Sequence, residues 1–320
     1  MSHIYIYSPS GAVRDKAAFK RGVKRLQTLG HEVEVDADAL ASYQRFAGDD
    51  ETRLAAIHRA TASGAHMAMI SRGGYGLTRL LPAINYKAVA KAIEKGTQFI
   101  GFSDFTAFQM ALFAKTGAVT WAGPAICDDF GAGLKSKEAE GHGDIAAALP
   151  DDIMEACFDD LICGQGEGTG WRVYKDSSNK DATTVKDFHI KDKVLWGGNL
   201  TMFTALLGTP YFPAVKGGVL FLEDVGEHPY RIERTLIQLL HAGVLAQQKA
   251  IVLGQFGNYK LVPHDRGYKL QTVIDWLRSQ LKIPVLTNLP FGHVPTKVCL
   301  PFGRKVDLVV QARDALIVWG

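Results

Sequence analysis

The chain has four cysteines in 320 residues, Cys127, Cys157, Cys163 and Cys299, and no two of them form a Cys-x-x-Cys pair. That is too few for a disulfide scaffold, so they read as reduced residues, mostly in or near the core. No apolar run approaches the roughly 18 residues of a membrane-spanning helix. The opening residues, Met1 to Pro9, lack the basic flank, long apolar core and small-residue cleavage pattern of a secretory signal. Cytoplasmic residence is therefore the expectation, with no membrane partner. Lysine plus arginine (36) nearly balances aspartate plus glutamate (33), for a net charge of +3. The basic residues are scattered and form no stripe, which argues against nucleic acid as a partner. Hydrophobic residues make up 47% and charged residues 22%, a composition that excludes wholesale disorder. A chain of this length lies where one core tends to split into two domains.

The first half alternates strand and helix signals. Ile4 to Tyr7 reads as a buried strand, followed by a Ser8–Gly11 turn and a helix carrying Phe19, Val23 and Leu26. Gly30 ends that helix before the alternating strand of Val33 and Val35. A helix from about Asp50 precedes the strand at Ala65–Ile70, and Phe99–Gly101 is a further strand before an amphipathic helix that runs to Gly117. This rhythm predicts an α/β domain over residues 1–135 with a largely parallel sheet. Residues 136–193 hold several glycines, including Gly141, Gly143, Gly164 and Gly166, together with Asp151-Asp152 and Ser177-Ser178-Asn179. They read as a connecting region with short antiparallel strands around Trp171–Tyr174. Residues 194–320 form a second β/α domain: strands at Val219–Leu222, Ala250–Leu253 and Val285–Leu286, helices at Tyr230–His241 and Leu270–Gln280, and a closing strand pair at Val306–Val310 and Ala315–Trp319.

Several segments carry residues suited to chemistry. In Gly101-Phe102-Ser103-Asp104, a strand ends in glycine and serine and a helix begins at once. Such a turn holds a serine hydroxyl outward while helix amides face developing negative charge. Phe105 stands where a Gly-x-Ser-x-Gly motif needs its second glycine, and taken alone Ser103 is an N-cap or turn serine. Ser71-Arg72-Gly73-Gly74-Tyr75-Gly76 allows close backbone approach, although it matches neither dinucleotide nor phosphate-loop spacing. A tight structural turn is the plainer reading of it. Glu223 ends an apolar strand, and composition does not choose among it, Asp224 and Glu227. His293 sits in the rigid loop Pro290-Phe291-Gly292-His293-Val294-Pro295, where a base would be firmly held, although a structural or exposed histidine is the plainer reading. His142, Asp144, His264 and Asp265 form no compact metal-ligand motif, so neither a metal nor any other cofactor is expected. Trp121 and Trp196 read by default as packing residues.

Together, the glycine-rich Ser71–Gly76 run, Gly101–Asp104, Gly197-Gly198-Asn199-Leu200, Leu222-Glu223-Asp224 and Leu289–His293 resemble, in order, the bacterial L,D-carboxypeptidases, the serine peptidase family that also holds the microcin C immunity peptidases. The resemblance implies a nucleophile at Ser103, a triad acid at Glu223 and a triad base at His293. It further implies an oxyanion hole from the Gly74 and Asp104 amides, with Arg72 and Tyr75 beside it for substrate binding. It implies an N-terminal flavodoxin-like or glutamine-amidotransferase-like α/β domain followed by a C-terminal β/α domain, and a homodimer. The implied activity is metal-independent release of terminal D-alanine from murein tetrapeptides during peptidoglycan recycling. A microcin-type peptidyl aminoacyl-nucleotide amidase, another amidase or transferase, and a non-catalytic α/β binding protein stand as alternatives.

Overall fold

The computed structural model describes residues 1–133, 150–173 and 187–320. The chain divides into two compact units, Met1–Gly166 with Pro295–Leu300, and Glu167–Val294 with Pro301–Gly320. The first begins β1 (His3–Tyr7), α1 (Lys16–Thr28), β2 (Glu32–Val35), α2 (Asp50–Ala62), β3 (Met67–Ile70) and the single turn α3 (Leu77–Leu80). It continues with α4 (Tyr86–Glu94), β4 (Gln98–Gly101), α5 (Phe105–Thr116), β5 (Thr120–Ala122) and α6 (Asp152–Ile162). The helix starts are fixed chemically. Asp15 accepts from Ala18 N at 2.9 Å, Asp49 from Thr52 N at 2.8 Å and Asn85 from Ala88 N at 3.1 Å, each satisfying an orphan amide. Gly117, left-handed at φ 72°, closes α5.

The second unit runs β6 (Gly168–Arg172), β7 (Phe188–Asn199), α7 (Leu200–Ala205), β8 (Val219–Val225), α8 (Pro229–His241), β9 (Ala250–Gly257), α9 (Leu270–Gln280) and β10 (Val285–Leu286). The chain then revisits the first unit, begins β11 (Leu300–Phe302), and finishes with β12 (Lys305–Gln311) and β13 (Asp314–Val318). Among the described residues the first sheet has six strands in the order β11-β5-β4-β3-β1-β2. The pairs from β5 across to β2 are parallel. The second sheet has seven strands, β10-β9-β8-β7-β12-β13-β6. Its β10-β9-β8-β7 half is parallel and the remainder antiparallel. The long strand β7 belongs to both halves.

Three local expectations need correction. The helix after Ser103 is not amphipathic, because every residue from Phe105 to Leu112 is buried. The alternation of Val33 and Val35 does not mark a buried face either. β2 is an edge strand, and Val35 remains 39% exposed. Part of the region expected to connect through short strands is instead a helix: Asp151 accepts from Met154 N at 3.0 Å and starts the eleven-residue α6. Trp171 does lie in an antiparallel strand, paired with Ala315. The four cysteines are free, with Cys299 buried, Cys127 and Cys157 intermediate and Cys163 exposed. Gly141, His142, Gly143, Asp144, Tyr174, Ser177, Ser178 and Asn179 lie outside the described residues. Among the described residues no helix is long and apolar enough to cross a membrane.

Candidate active site

In the first unit, strand order reverses between β1 and β3, and the loops at the carboxyl ends of such strands form the usual ligand crevice of an open α/β sheet. Ser8–Gly11 follows β1, Ser71–Gly76 follows β3, and Phe102–Asp104 follows β4. The first two loops are clasped together. Ser71 N donates to Tyr7 O at 2.8 Å, the Ser8 and Ser71 hydroxyls meet at 2.6 Å, and Gly11 N donates to Gly73 O at 3.2 Å.

Ser103 sits between β4 and α5 with φ 62°, a left-handed backbone uncommon for a residue with a side chain. The strained strand-to-helix elbow expected of an outward-held serine is therefore present without the Gly-x-Ser-x-Gly sequence. Ser103 is not the N-cap of α5. Asp104 holds that position and makes no side-chain capping bond. Gly73 lies directly against the elbow: a Cβ there would stand 2.7 Å from Ser103 Cβ, 2.8 Å from its Oγ and 3.5 Å from Asp104 N. Gly74 has φ 117°. Among the described residues, neither the Gly74 nor the Asp104 backbone N–H donates to a protein acceptor. Arg72 is half-buried and donates to Ala12 O at 3.3 Å. Tyr75 is 42% exposed, its ring tilted on Phe46 at 5.9 Å.

In the second unit, β7 and β8 place Asn199 opposite Glu223. Glu223 is fully buried, and His293 Nδ1 lies 2.8 Å from its Oε2. An ionised carboxylate only accepts, so in this contact Nδ1 is the donor. Asn199 Nδ2 donates to Glu223 Oε1 at 3.2 Å and to Asp224 Oδ1 at 3.0 Å, bridging the neighbouring carboxylates. Asp224 also accepts from Thr201 N and Thr201 Oγ1, and burial, reinforced by the Glu223 charge, raises its pKa. Glu227 faces Arg231 instead, at 3.7 Å. Of the three acids, Glu223 is thus the one that meets His293.

The histidine loop is braced against β9. Gln255 N donates to Phe291 O at 2.8 Å, and Gln255 Nε2 donates to Leu289 O at 3.1 Å. Gly292, at φ 140°, is tightly set: a Cβ would stand 3.0 Å from Gln255 O and 3.2 Å from Glu223 Oε2. Asp265 pairs with His228 at 3.1 Å.

The structure thus gathers Ser103, Gly74 and Asp104 with Arg72 and Tyr75 in the first unit, and joins Glu223 to His293 in the second. Sequence reasoning passed over the Asn199 side chain, although an asparagine ending a strand and opening a helix is a readable cap signal. Asn199 Oδ1 accepts from Met202 N at 3.1 Å.

Residues 4–123 match the LD-carboxypeptidase N-terminal domain, and residues 194–308 match the LD-carboxypeptidase C-terminal domain. A crystal structure of muramoyltetrapeptide carboxypeptidase from Oxalobacter formigenes is 38% identical, with a TM-score of 0.82 over 99% of this chain and 98% of that one. The murein tetrapeptide carboxypeptidase of Pseudomonas aeruginosa is 27% identical over 309 residues, 95% of this chain and 92% of that protein. The microcin self-immunity protein MccF bound to aspartyl sulfamoyl adenosine shares the fold, at 22% identity and a TM-score of 0.79 over 99% of this chain and 96% of that one. The fold and these matches define a peptidase built from two α/β units. More narrowly, the chain belongs to the LD-carboxypeptidase family.

Proposed function

We propose that this protein is a metal-independent serine L,D-carboxypeptidase that releases the terminal D-alanine of murein tetrapeptides in cytoplasmic peptidoglycan recycling. The observation that carries the reading is the 2.8 Å contact between the buried Glu223 carboxylate and His293 Nδ1, the acid–imidazole pairing that orients a histidine as a general base. The left-handed Ser103 elbow supplies the matching nucleophile. His293 takes the Ser103 proton as Oγ attacks the scissile carbonyl, and Glu223 stabilises the imidazolium that forms. The Gly74 and Asp104 N–H groups hold the oxyanion; one such donor is typically worth about a hundredfold to a thousandfold in rate. His293 returns the proton to the leaving D-alanine amine, and water hydrolyses the acyl-enzyme by the reverse proton path.

Arg72, with a guanidinium donating to one backbone carbonyl, is placed to receive the substrate's terminal carboxylate. Tyr75 offers a partly exposed ring beside it. The 2-1-3-4-5 order of β2, β1, β3, β4 and β5 supports a flavodoxin-like first unit. The working form is taken as a homodimer, the family expectation, which sedimentation would check.

The test is mass-spectrometric detection of D-alanine released from purified murein tetrapeptide, with EDTA present and with Ser103→Ala as control. EDTA-resistant release, absent with an L-alanine terminus and lost in the variant, is expected. No release by folded wild-type protein moves the reading to a microcin-type peptidyl aminoacyl-nucleotide or another amide. Equal release by the variant removes Ser103 as the nucleophile.

A further inference from the structure

The side chain of Asp104 has no part in the proposed reaction, yet it is wholly buried one residue after the nucleophile. As the N-cap of α5 it would ordinarily bond that helix's first amides, and it does not. Its Oδ2 instead accepts from Leu77 N at 3.0 Å. Leu77 opens α3, immediately after the glycine-rich run that contains Gly74.

In that run Ser71 is clasped to Tyr7 and Ser8, and Tyr75 packs on Phe46, but the glycines between them bring no side-chain contacts. Gly73, Gly74 and Gly76 have no side chains to pack, and Gly74 and Gly76 have φ values of 117° and 134°. One end is held by Gly11 N on Gly73 O, and the other by Asp104 on Leu77 N. Asp104 is therefore joined to both candidate oxyanion donors. Its backbone carries one, and its carboxyl group anchors the loop that carries the other.

The electrostatics fit such a strut. A bare carboxylate beside a developing oxyanion would oppose it. Here burial raises the carboxyl group's pKa and favours its neutral form, opposed by the Leu77 amide, by Ser10 and by the fully buried Arg53 guanidinium. Arg53 is itself fixed by Pro9 O at 3.2 Å, by Asp50, and by its position over the Phe46 ring at 4.7 Å.

We infer that the Asp104 side chain is a positioning residue that sets the spacing of the Gly74 and Asp104 amides by tying the nucleophile elbow to the start of α3. The inference rests on the serine-hydrolase reading of the site. It does not depend on which amide is cleaved.

The test compares wild type, Asp104→Asn, Asp104→Ala and Asp104→Leu by the rate of Ser103 labelling with a fluorophosphonate, alongside D-alanine release and thermal melting. Asparagine keeps an acceptor for Leu77 N and should retain labelling and kcat within about threefold. Alanine and leucine remove the acceptor and should lower both by at least tenfold, with KM within about twofold. Leucine fills the vacated space and keeps the test open if the alanine variant does not fold.

A purely structural role would lower the melting temperature without changing labelling of the folded fraction, and that outcome overturns the strut. So does an asparagine variant as slow as alanine. Wild type that is labelled at Ser103 but releases no D-alanine removes only the substrate assignment. Wild type that is not labelled at all removes both.

Discussion

At the scale of single residues, the carboxylate–imidazole contact is the most sharply defined chemistry in the molecule. Glu223 uses one oxygen for His293 and the other for Asn199, so its orientation is set from two sides. Glu223→Gln keeps a carbonyl oxygen for the Nδ1 proton but removes the charge that stabilises the imidazolium. We expect kcat to fall about a thousandfold to ten-thousandfold with KM little changed, measured by steady-state D-alanine release. A fully active variant would reassign the acid, with Glu227 next. Composition left these acids unresolved for a physical reason. An irregularity in the β8–β9 pairing between Leu222 and Asp224 affects how successive side chains are presented, and the chain gives no local sign of it. The serine elbow was legible as a strand–turn–helix, whereas its left-handed backbone at Ser103 was not.

At the scale of elements, helix and strand identities were largely readable: apolar spacing at Phe19, Val23 and Leu26 marks α1 behind its Asp15 cap, and Gly117 marks the end of α5. The failures were failures of environment. The first eight residues of α5, Phe105–Leu112, are all buried, so the periodicity expected of a surface helix says nothing about them. Local spacing could not reveal either that one glycine must touch Ser103. Gly73 is the sharpest case, because it meets the Ser103 side chain where even a methyl group would overlap it. Gly73→Ala must push apart the loop and the elbow, and a shift near 1 Å in such a site costs about a hundredfold in rate. The expected result is a folded protein whose melting temperature falls by a few degrees and whose kcat falls at least tenfold. Activity near wild type would show that the elbow yields freely, and would count against a preorganised oxyanion site.

At the scale of the whole molecule, two α/β units were legible from the strand–helix rhythm, but the path of the chain between them was not. Pro295–Leu300 belongs to the first unit although more than a hundred residues of the second precede it. Nothing in its composition announces this, since the evidence lies in distant partners. Thr296 Oγ1 donates to Asp151 at 2.6 Å, and Lys297 Nζ meets Asp129 at 2.7 Å with both side chains 1% exposed. The Lys297 ammonium also lies 3.4 Å from the centre of the Phe102 ring, next to Ser103 in the chain. Removing one partner of a buried ion pair typically costs about 3–5 kcal/mol, because the other charge is left stranded. A fragment of residues 1–166 would keep Asp129 and lose Lys297, and it would also lose the strand that begins at Leu300 beside β5. It should therefore melt well below a version in which residues 295–302 are appended through a flexible linker. Circular dichroism and thermal melting of the two fragments decide the matter. If restoring the segment gave no gain, the buried pair would contribute little to the first unit. If Asp129→Asn in the short fragment recovered part of the loss, the stranded charge would be identified as its source.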